Sequence, residues 1–322
     1  MAAAEVGDDV YQEDPTIAEL EARTAELLGH QAGLFLPSGT MSNLLGIWLN
    51  VPRGQEVICD EQAHIVRAEA GSHSALHGIM MRTWSSAGTG VVDPATIKQL
   101  VAPVLGFLVP TAAVALENTH NFGGGTIQPY EALVEIHDFC QQAGVAMHLD
   151  GARIWNAHVA TGLPLADYGR LFDTVSVCYS KGMGAPVGSV LVGSQDKIAQ
   201  ARVQRKALGG GMRQAGVLAA AALYALDHNL ERLSEDHQAA QLIAHEIQSQ
   251  APQAIAKLPE TNIVVIDTGS LPASQVADLA RQDQVAISVV GPRTVRAVTH
   301  LDVLADDCRQ AGQRLGQIIK SS

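Results

Sequence analysis

Four short stretches carry the residue types from which a reactive site could be built: Ser38-Gly39-Thr40, Glu117-Asn118, Asp150-Gly151-Ala152-Arg153 and Ser180-Lys181-Gly182. Each follows an apolar run that reads as a β-strand, and in open α/β sheets ligands bind at the carboxyl ends of strands. The Ser-Gly-Thr turn leads into a helix. Its free N–H groups and hydroxyls suit a phosphate, although the same turn also serves as a plain helix cap. Asp150 could keep a ring nitrogen protonated through a charged hydrogen bond worth ~1.5–3 kcal/mol, or it could cap a helix or pair with Arg153. Lys181 lies between an apolar run and small residues. It could be desolvated enough to form a Schiff base, or it could be a surface lysine in a loop. One ligand uses a phosphate turn, a carboxylate, an arginine and a lysine together: pyridoxal phosphate, whose protonated ring is an electron sink.

The elements that must position these residues alternate. Asp14-Pro15 opens a helix with Ile17, Leu20, Leu27 and Leu28 on one face and Gly29 at its end. Gly33 to Leu36 reads as a strand, Met41 to Trp48 as a helix, and Glu56 to Cys59 and Ala113 to Leu116 as strands. A helix from Tyr130 to Ala143 closes at Gly144, and the strand Val145 to Leu149 delivers Asp150. Strands from Thr174 to Tyr179 and Gly188 to Val192 follow, then helices Gln195 to Lys206, Gln214 to Leu230 and Glu231 to Gln250. After Pro252, short strands at Asn262–Asp267, Val285–Val290 and Val295–Thr299 alternate with helices. This pattern predicts an α/β fold with a mostly parallel sheet. The change of texture predicts a large domain over residues 1–235 and a small C-terminal α+β domain over 236–322.

Composition narrows the function. The 322 residues are 47% hydrophobic, as a packed core requires, and carry a net charge of −12, which disfavours nucleic acid and anionic membrane surfaces as general partners. No apolar run approaches the ~20 residues of a membrane helix, and the first residues lack a signal-peptide pattern. Cys59, Cys140, Cys178 and Cys308 are scattered through apolar stretches and read as reduced core residues of a cytoplasmic protein. No CxxC, HExxH, Walker A or complete GxGxxG motif occurs, so no metal is expected, and P-loop and dinucleotide sites lose their best markers.

Several stretches, in order, resemble the L-threonine aldolase family of fold-type I pyridoxal-phosphate enzymes. They are Val6-Gly7-Asp8-Asp9-Val10-Tyr11, Glu13-Asp14-Pro15-Thr16, Phe35-Leu36-Pro37-Ser38-Gly39-Thr40 and Glu61-Gln62-Ala63-His64 with Glu69-Ala70-Gly71. Leu116-Glu117-Asn118-Thr119-His120-Asn121, His148-Leu149-Asp150-Gly151-Ala152-Arg153-Ile154 and Ser180 to Gly188 continue the series. Gly209-Gly210-Gly211-Met212-Arg213-Gln214 and Val295-Arg296-Ala297-Val298-Thr299-His300 complete it.

The resemblance implies a role for each residue. Lys181 is expected to carry the cofactor and Asp150 to face its ring nitrogen. Ser38, Gly39, Thr40, Met41 and Ser180 are expected near the phosphate, and His64 stacked on the ring. Arg153 and Arg296 are expected to grip the substrate carboxylate, for which the bidentate guanidinium is suited. Lys206 and Arg213 are expected to reach a phosphate across a subunit boundary, so that a homo-oligomer shares its sites, with a dimer as the smallest unit and a tetramer expected. The implied reaction is cleavage of L-threonine, L-allo-threonine or a related β-hydroxy-α-amino acid to glycine and an aldehyde. The base is left open between His64, a water and another imidazole. A β-eliminating lyase, or a cofactor-binding protein with impaired turnover, is the alternative.

The chain also departs from the family. The family's Asp-Leu-Arg-Ser-Asp-Thr-like segment, with a serine for the substrate carboxylate, would fall before Met1, and an upstream extension is expected to raise activity. Gln12 stands where the family usually has glycine, and Phe107 lies in a region where many relatives have a histidine near the substrate.

Overall fold

The computed structural model describes residues 1–320. Ten strands form two sheets: β1 (Ala32–Leu36), β2 (Glu56–Asp60), β3 (Met80–Trp84), β4 (Thr111–Glu117), β5 (Ala146–Gly151), β6 (Thr174–Cys178) and β7 (Ser189–Gly193), then β8 (Ile263–Asp267), β9 (Ser288–Gly291) and β10 (Thr294–Val298). The first seven make one sheet in the order β1-β7-β6-β5-β4-β2-β3. The pairs β2–β3, β2–β4, β4–β5 and β5–β6 are parallel, and β7 runs antiparallel to both β6 and β1.

Helices cover both faces of this sheet. On β1, successive side chains point to opposite sides. Phe35 joins Ile17 and Leu20 in the main core, whereas Leu34 and Leu36 join Leu45, Leu191 and Ile198 in a second cluster. Double coverage is why β2, β6 and β7 are buried at every position, their few polar residues included.

The other sheet, β8-β10-β9, is antiparallel throughout. Its strands share a separate core with the helices Leu233–Gln250, Ala273–Gln282 and Ala305–Lys320. The helix Leu233–Gln250 reaches both cores, with Leu233 in the large one and Ala239 in the small one.

Some local expectations shift. The edge strand β3 has no counterpart in the sequence reading, because most of its residues are partly or fully exposed and show no alternation. The strand expected at Val285–Val290 starts at Ser288. Gln284 turns left-handed, and the Val285 N–H donates back to Ala280, so Val285 closes the preceding helix instead. All four cysteines are buried and free. Among the described residues, no helix is long and apolar enough to cross a membrane.

Candidate active site

The carboxyl ends of the central strands place the reactive side chains together. β4 ends at Glu117 and β5 continues through Asp150, and these two residues are register partners on neighbouring strands. Lys181 follows β6, and with Ser180, Arg153, Asn262, Thr299 and His300 it lines a cavity of about 460 Å³. Asp150 is buried. Burial and the Glu117 charge raise its carboxyl pKa to about 6, while the charges of His64 and Lys181 act in the opposite direction. Its Oδ1 accepts from the Ala152 N–H at 3.1 Å and its Oδ2 from Asn43 Nδ2 at 2.8 Å, so its partners are donors of its own surroundings and not Arg153.

Asn43 sits on the helix Gly39–Trp48 and donates from the same nitrogen to Glu69 Oε1 at 2.8 Å. Glu69 also meets His64 Nδ1 at 2.8 Å and His73 Nε2 at 2.9 Å. The hydrogen bond to Glu69 raises the His64 pKa against the effect of burial. These bonds account for the crowding of His64, Glu69 and Asp150, whose ligand-type atoms lie within 4.8 Å of one another. The His64 backbone N–H donates to Glu117 Oε2 at 2.8 Å, and the Asn121 N–H donates to Glu117 Oε1 at 2.7 Å. Glu117 thus ties the imidazole loop to the segment after β4.

Asn121 joins the two predicted arginines. Its Oδ1 accepts from Arg153 at 3.2 Å and from Arg296, on β10, at 2.6 Å. Among the described residues, both guanidinium groups keep a buried Nε without a partner. Burial lowers both guanidinium pKa values, and for Arg153 the Arg296 charge adds to the effect.

Ser38 caps the helix Gly39–Trp48, accepting from the Met41 N–H at 3.2 Å. The N–H groups of Gly39 and Thr40 have no partner among the described residues, as expected in a first helical turn. A Cβ at Gly39 would lie 2.7 Å from Cys178 Sγ, so glycine lets this turn pack closely against the end of β6.

Lys206 is exposed and lines a different cavity, with Arg202 and Gln12. Arg213 is exposed and pairs with Asp8 at 2.7 Å. The glycine loop between them packs Gly210 against Met41, which brings it to the start of the helix that Ser38 caps. Phe107 is 85% exposed on an outer loop. A buried imidazole does lie near Glu117: His120, whose Nδ1 accepts from the Gly123 N–H at 3.0 Å while its Nε2 faces Asp60 at 3.5 Å.

The sequence places Glu117 among the strand-end candidates without giving it a task, and gives none to Asn43 or Asn121. Asn43 follows Ser42 in a helix that is apolar from Leu44 onward.

The donor set fits pyridoxal phosphate: an open helix start for an anion, a buried carboxylate with no direct ion pair among the described residues, and a lysine in a cavity beside Arg153. The fold is a fold-type I α/β sheet with its candidate site at the strand ends, and the comparisons place the chain among the lyases. Residues 1–270 match the family described as beta-eliminating lyase, and the chain belongs to that family. A low-specificity L-threonine aldolase from Escherichia coli K12 is 39% identical over 303 residues, covering 94% of this chain and 89% of that protein. Low-specificity L-threonine aldolase 1 of Arabidopsis thaliana is 38% identical over 314 residues, covering 95% and 88%. A threonine aldolase structure from Leishmania major superposes with a TM-score of 0.84 at 22% identity, covering 98% of this chain and 92% of that one, which bears on the fold.

Proposed function

We propose that this protein is a pyridoxal-phosphate-dependent aldehyde-lyase that cleaves L-threonine, L-allo-threonine and related β-hydroxy-α-amino acids to glycine and an aldehyde. The observation that carries the reading is the convergence of Asp150, Lys181 and the paired Arg153 and Arg296 on one set of strand ends. When bound, pyridoxal phosphate supplies an electron sink for the Cα–Cβ bond.

The chain's residues do the rest. Lys181 would hold the cofactor covalently. Asp150 would keep the ring nitrogen protonated, its burial strengthening that bond. Ser38, Gly39, Thr40, Met41 and Ser180 would hold the phosphate, joined by Lys206 and Arg213 from a neighbouring subunit. Arg153 and Arg296 would hold the substrate carboxylate with the donors they do not spend on Asn121. That grip fixes which bond at Cα is weakened. His64, braced by Glu69, would lie over the ring. The β-hydroxyl proton must leave as the bond breaks, and a proton must return to Cα to complete glycine.

The same reading gives a cytoplasmic homotetramer contributing to glycine formation and threonine breakdown, with residues 1–235 as cofactor-binding domain and 236–322 as the small domain. The family's description favours one second reading, elimination of a β-substituent. Feeding threonine to the holoenzyme tests between them: the proposal requires glycine and acetaldehyde, and 2-oxobutanoate with ammonia would overturn it.

A further inference from the structure

A directed chain of hydrogen bonds runs from the surface to Asp150. Lys197 Nζ donates to Asn50 Oδ1 at 2.7 Å, and Asn50 Nδ2 donates to Thr174 Oγ1 at 2.8 Å. Thr174 Oγ1 lies 2.9 Å from His148 Nδ1, and His148 Nε2 lies 3.2 Å from Asn43 Oδ1. Asn43 Nδ2 then donates to Asp150 and Glu69, at 2.8 Å each.

Chemistry fixes the directions. Facing two carboxylates, Asn43 must present its NH₂ group, so its Oδ1 must accept from His148. His148 then carries its proton on Nε2, and its Nδ1 accepts from Thr174. The Thr174 oxygen already accepts from Asn50, and its alternative acceptor, the Gly46 carbonyl, is farther away at 3.3 Å. Each donor of the chain thus reaches its next partner inward, while Lys197 also donates to Asp173 at 3.0 Å and Asn50 to the Gly46 carbonyl at 2.8 Å.

His148 is fully buried, and burial pushes its pKa down to about 3, so it acts as a neutral dipole. Its ring lies against the bare backbone of the Gly39–Trp48 helix, where a Cβ on Gly46 would come within 2.7 Å of Nδ1.

We propose that His148, with its Nδ1 held by Thr174 and its place set by Gly46, is a positioning residue that orients the Asn43 amide and so holds Asp150 ionised and aimed at the cofactor's ring nitrogen. The inference rests on the pyridoxal phosphate reading of the site. Around Asp150, Glu117 and Glu69 oppose ionisation, while His64 and Lys181 favour it. Around His148 stand the charges of His73, Glu69 and Lys197. Against two opposing carboxylates, a donor lost or reversed at Asn43 weighs directly on Asp150. Without His148, the Asn43 amide is free to turn its oxygen toward them.

The experiment compares the affinity of the apoprotein for pyridoxal phosphate and for its isostere with carbon in place of the ring nitrogen. The proteins are wild type, His148→Leu, His148→Gln and Thr174→Val. Wild type should prefer the nitrogen-bearing cofactor. His148→Leu should cut that preference by about tenfold, the equivalent of one pKa unit at Asp150. Thr174→Val should cut it less, and His148→Gln, which keeps an N–H toward Asn43, should restore it. A carbon-13 titration of the Asp150 carboxyl in apoprotein should move up by about one pH unit in His148→Leu.

Equal loss of affinity for both cofactors would mean that His148 only fills space, and an unchanged preference would likewise overturn the proposal. A wild type that does not distinguish the two cofactors would instead refute the contact between Asp150 and the ring nitrogen. The apoprotein titration, which needs no cofactor, then decides the role of His148. If His148→Leu does not fold, the near-isosteric Thr174→Val carries both readouts.

Discussion

Arg153 and Arg296 donate to the same atom, Asn121 Oδ1, one from the segment after β5 and the other from the small sheet. Two like charges are thus held side by side across a neutral amide, each pulled below its ordinary pKa chiefly by burial. A carboxylate bound between them relieves both penalties. Arg296→Ala should therefore raise KM for threonine at least ~30-fold, from a loss of about 2–5 kcal/mol, while leaving cofactor affinity unchanged. Steady-state kinetics beside cofactor titration check this, and an unchanged KM contradicts the carboxylate role.

Gly39 offers a steric test of the phosphate turn. A methyl group there would meet Cys178 Sγ at 2.7 Å. Gly39→Ala should weaken cofactor binding by about tenfold, since overpacking costs ~1–3 kcal/mol. The double variant Gly39→Ala with Cys178→Ala should recover most of the loss. Dissociation constants for the two variants decide it, and a double variant no better than the single one rules out the steric cause.

The pH dependence of cofactor stabilisation follows from Asp150. Its folded pKa, about 6, lies above its ordinary value because of burial and the Glu117 charge. The folded apoprotein therefore holds a proton that the unfolded chain has lost, and its stability falls as pH rises from about 4 to about 6. A cationic ring nitrogen offsets the penalty only where Asp150 is ionised. The rise in melting temperature on adding pyridoxal phosphate should be larger at about pH 7.5 than at about pH 5, and the difference should shrink in Asp150→Asn. Equal shifts at both pH values in wild type would count against this contact.

Gln12 stands where a glycine was expected from the family pattern, and it adopts φ 61°. A left-handed residue with a Cβ costs about 1–2 kcal/mol, and glycine gives back roughly 0.5–1 kcal/mol of that through its freer unfolded chain. Gln12→Gly should raise stability by up to ~1 kcal/mol, read from the urea midpoint. A lower midpoint would mean that the glutamine side chain has a structural role.

Legibility followed burial. The strand ends at Asp150 and Lys181 stood out because β5 and β6 are covered on both faces, and a polar residue closing an apolar run is conspicuous. The edge strand β3 is half exposed and left no periodic trace. Asn43 looked like an imperfection in an apolar helix, although it bridges Glu69 and Asp150. Glu117 comes beside Asp150 through strand register, and Asn121 links an arginine after β5 to one on the small sheet. Such relationships are made by the folded chain and have no local signature.

We propose Lys181 as the residue that carries pyridoxal phosphate for cleavage of the Cα–Cβ bond. The most direct test is product analysis of L-threonine turnover by the cofactor-loaded protein, with Lys181→Ala as control. Glycine and acetaldehyde in equal amounts from the wild type, and neither from Lys181→Ala, is the predicted result. Production of 2-oxobutanoate and ammonia, or undiminished turnover by Lys181→Ala, would contradict it.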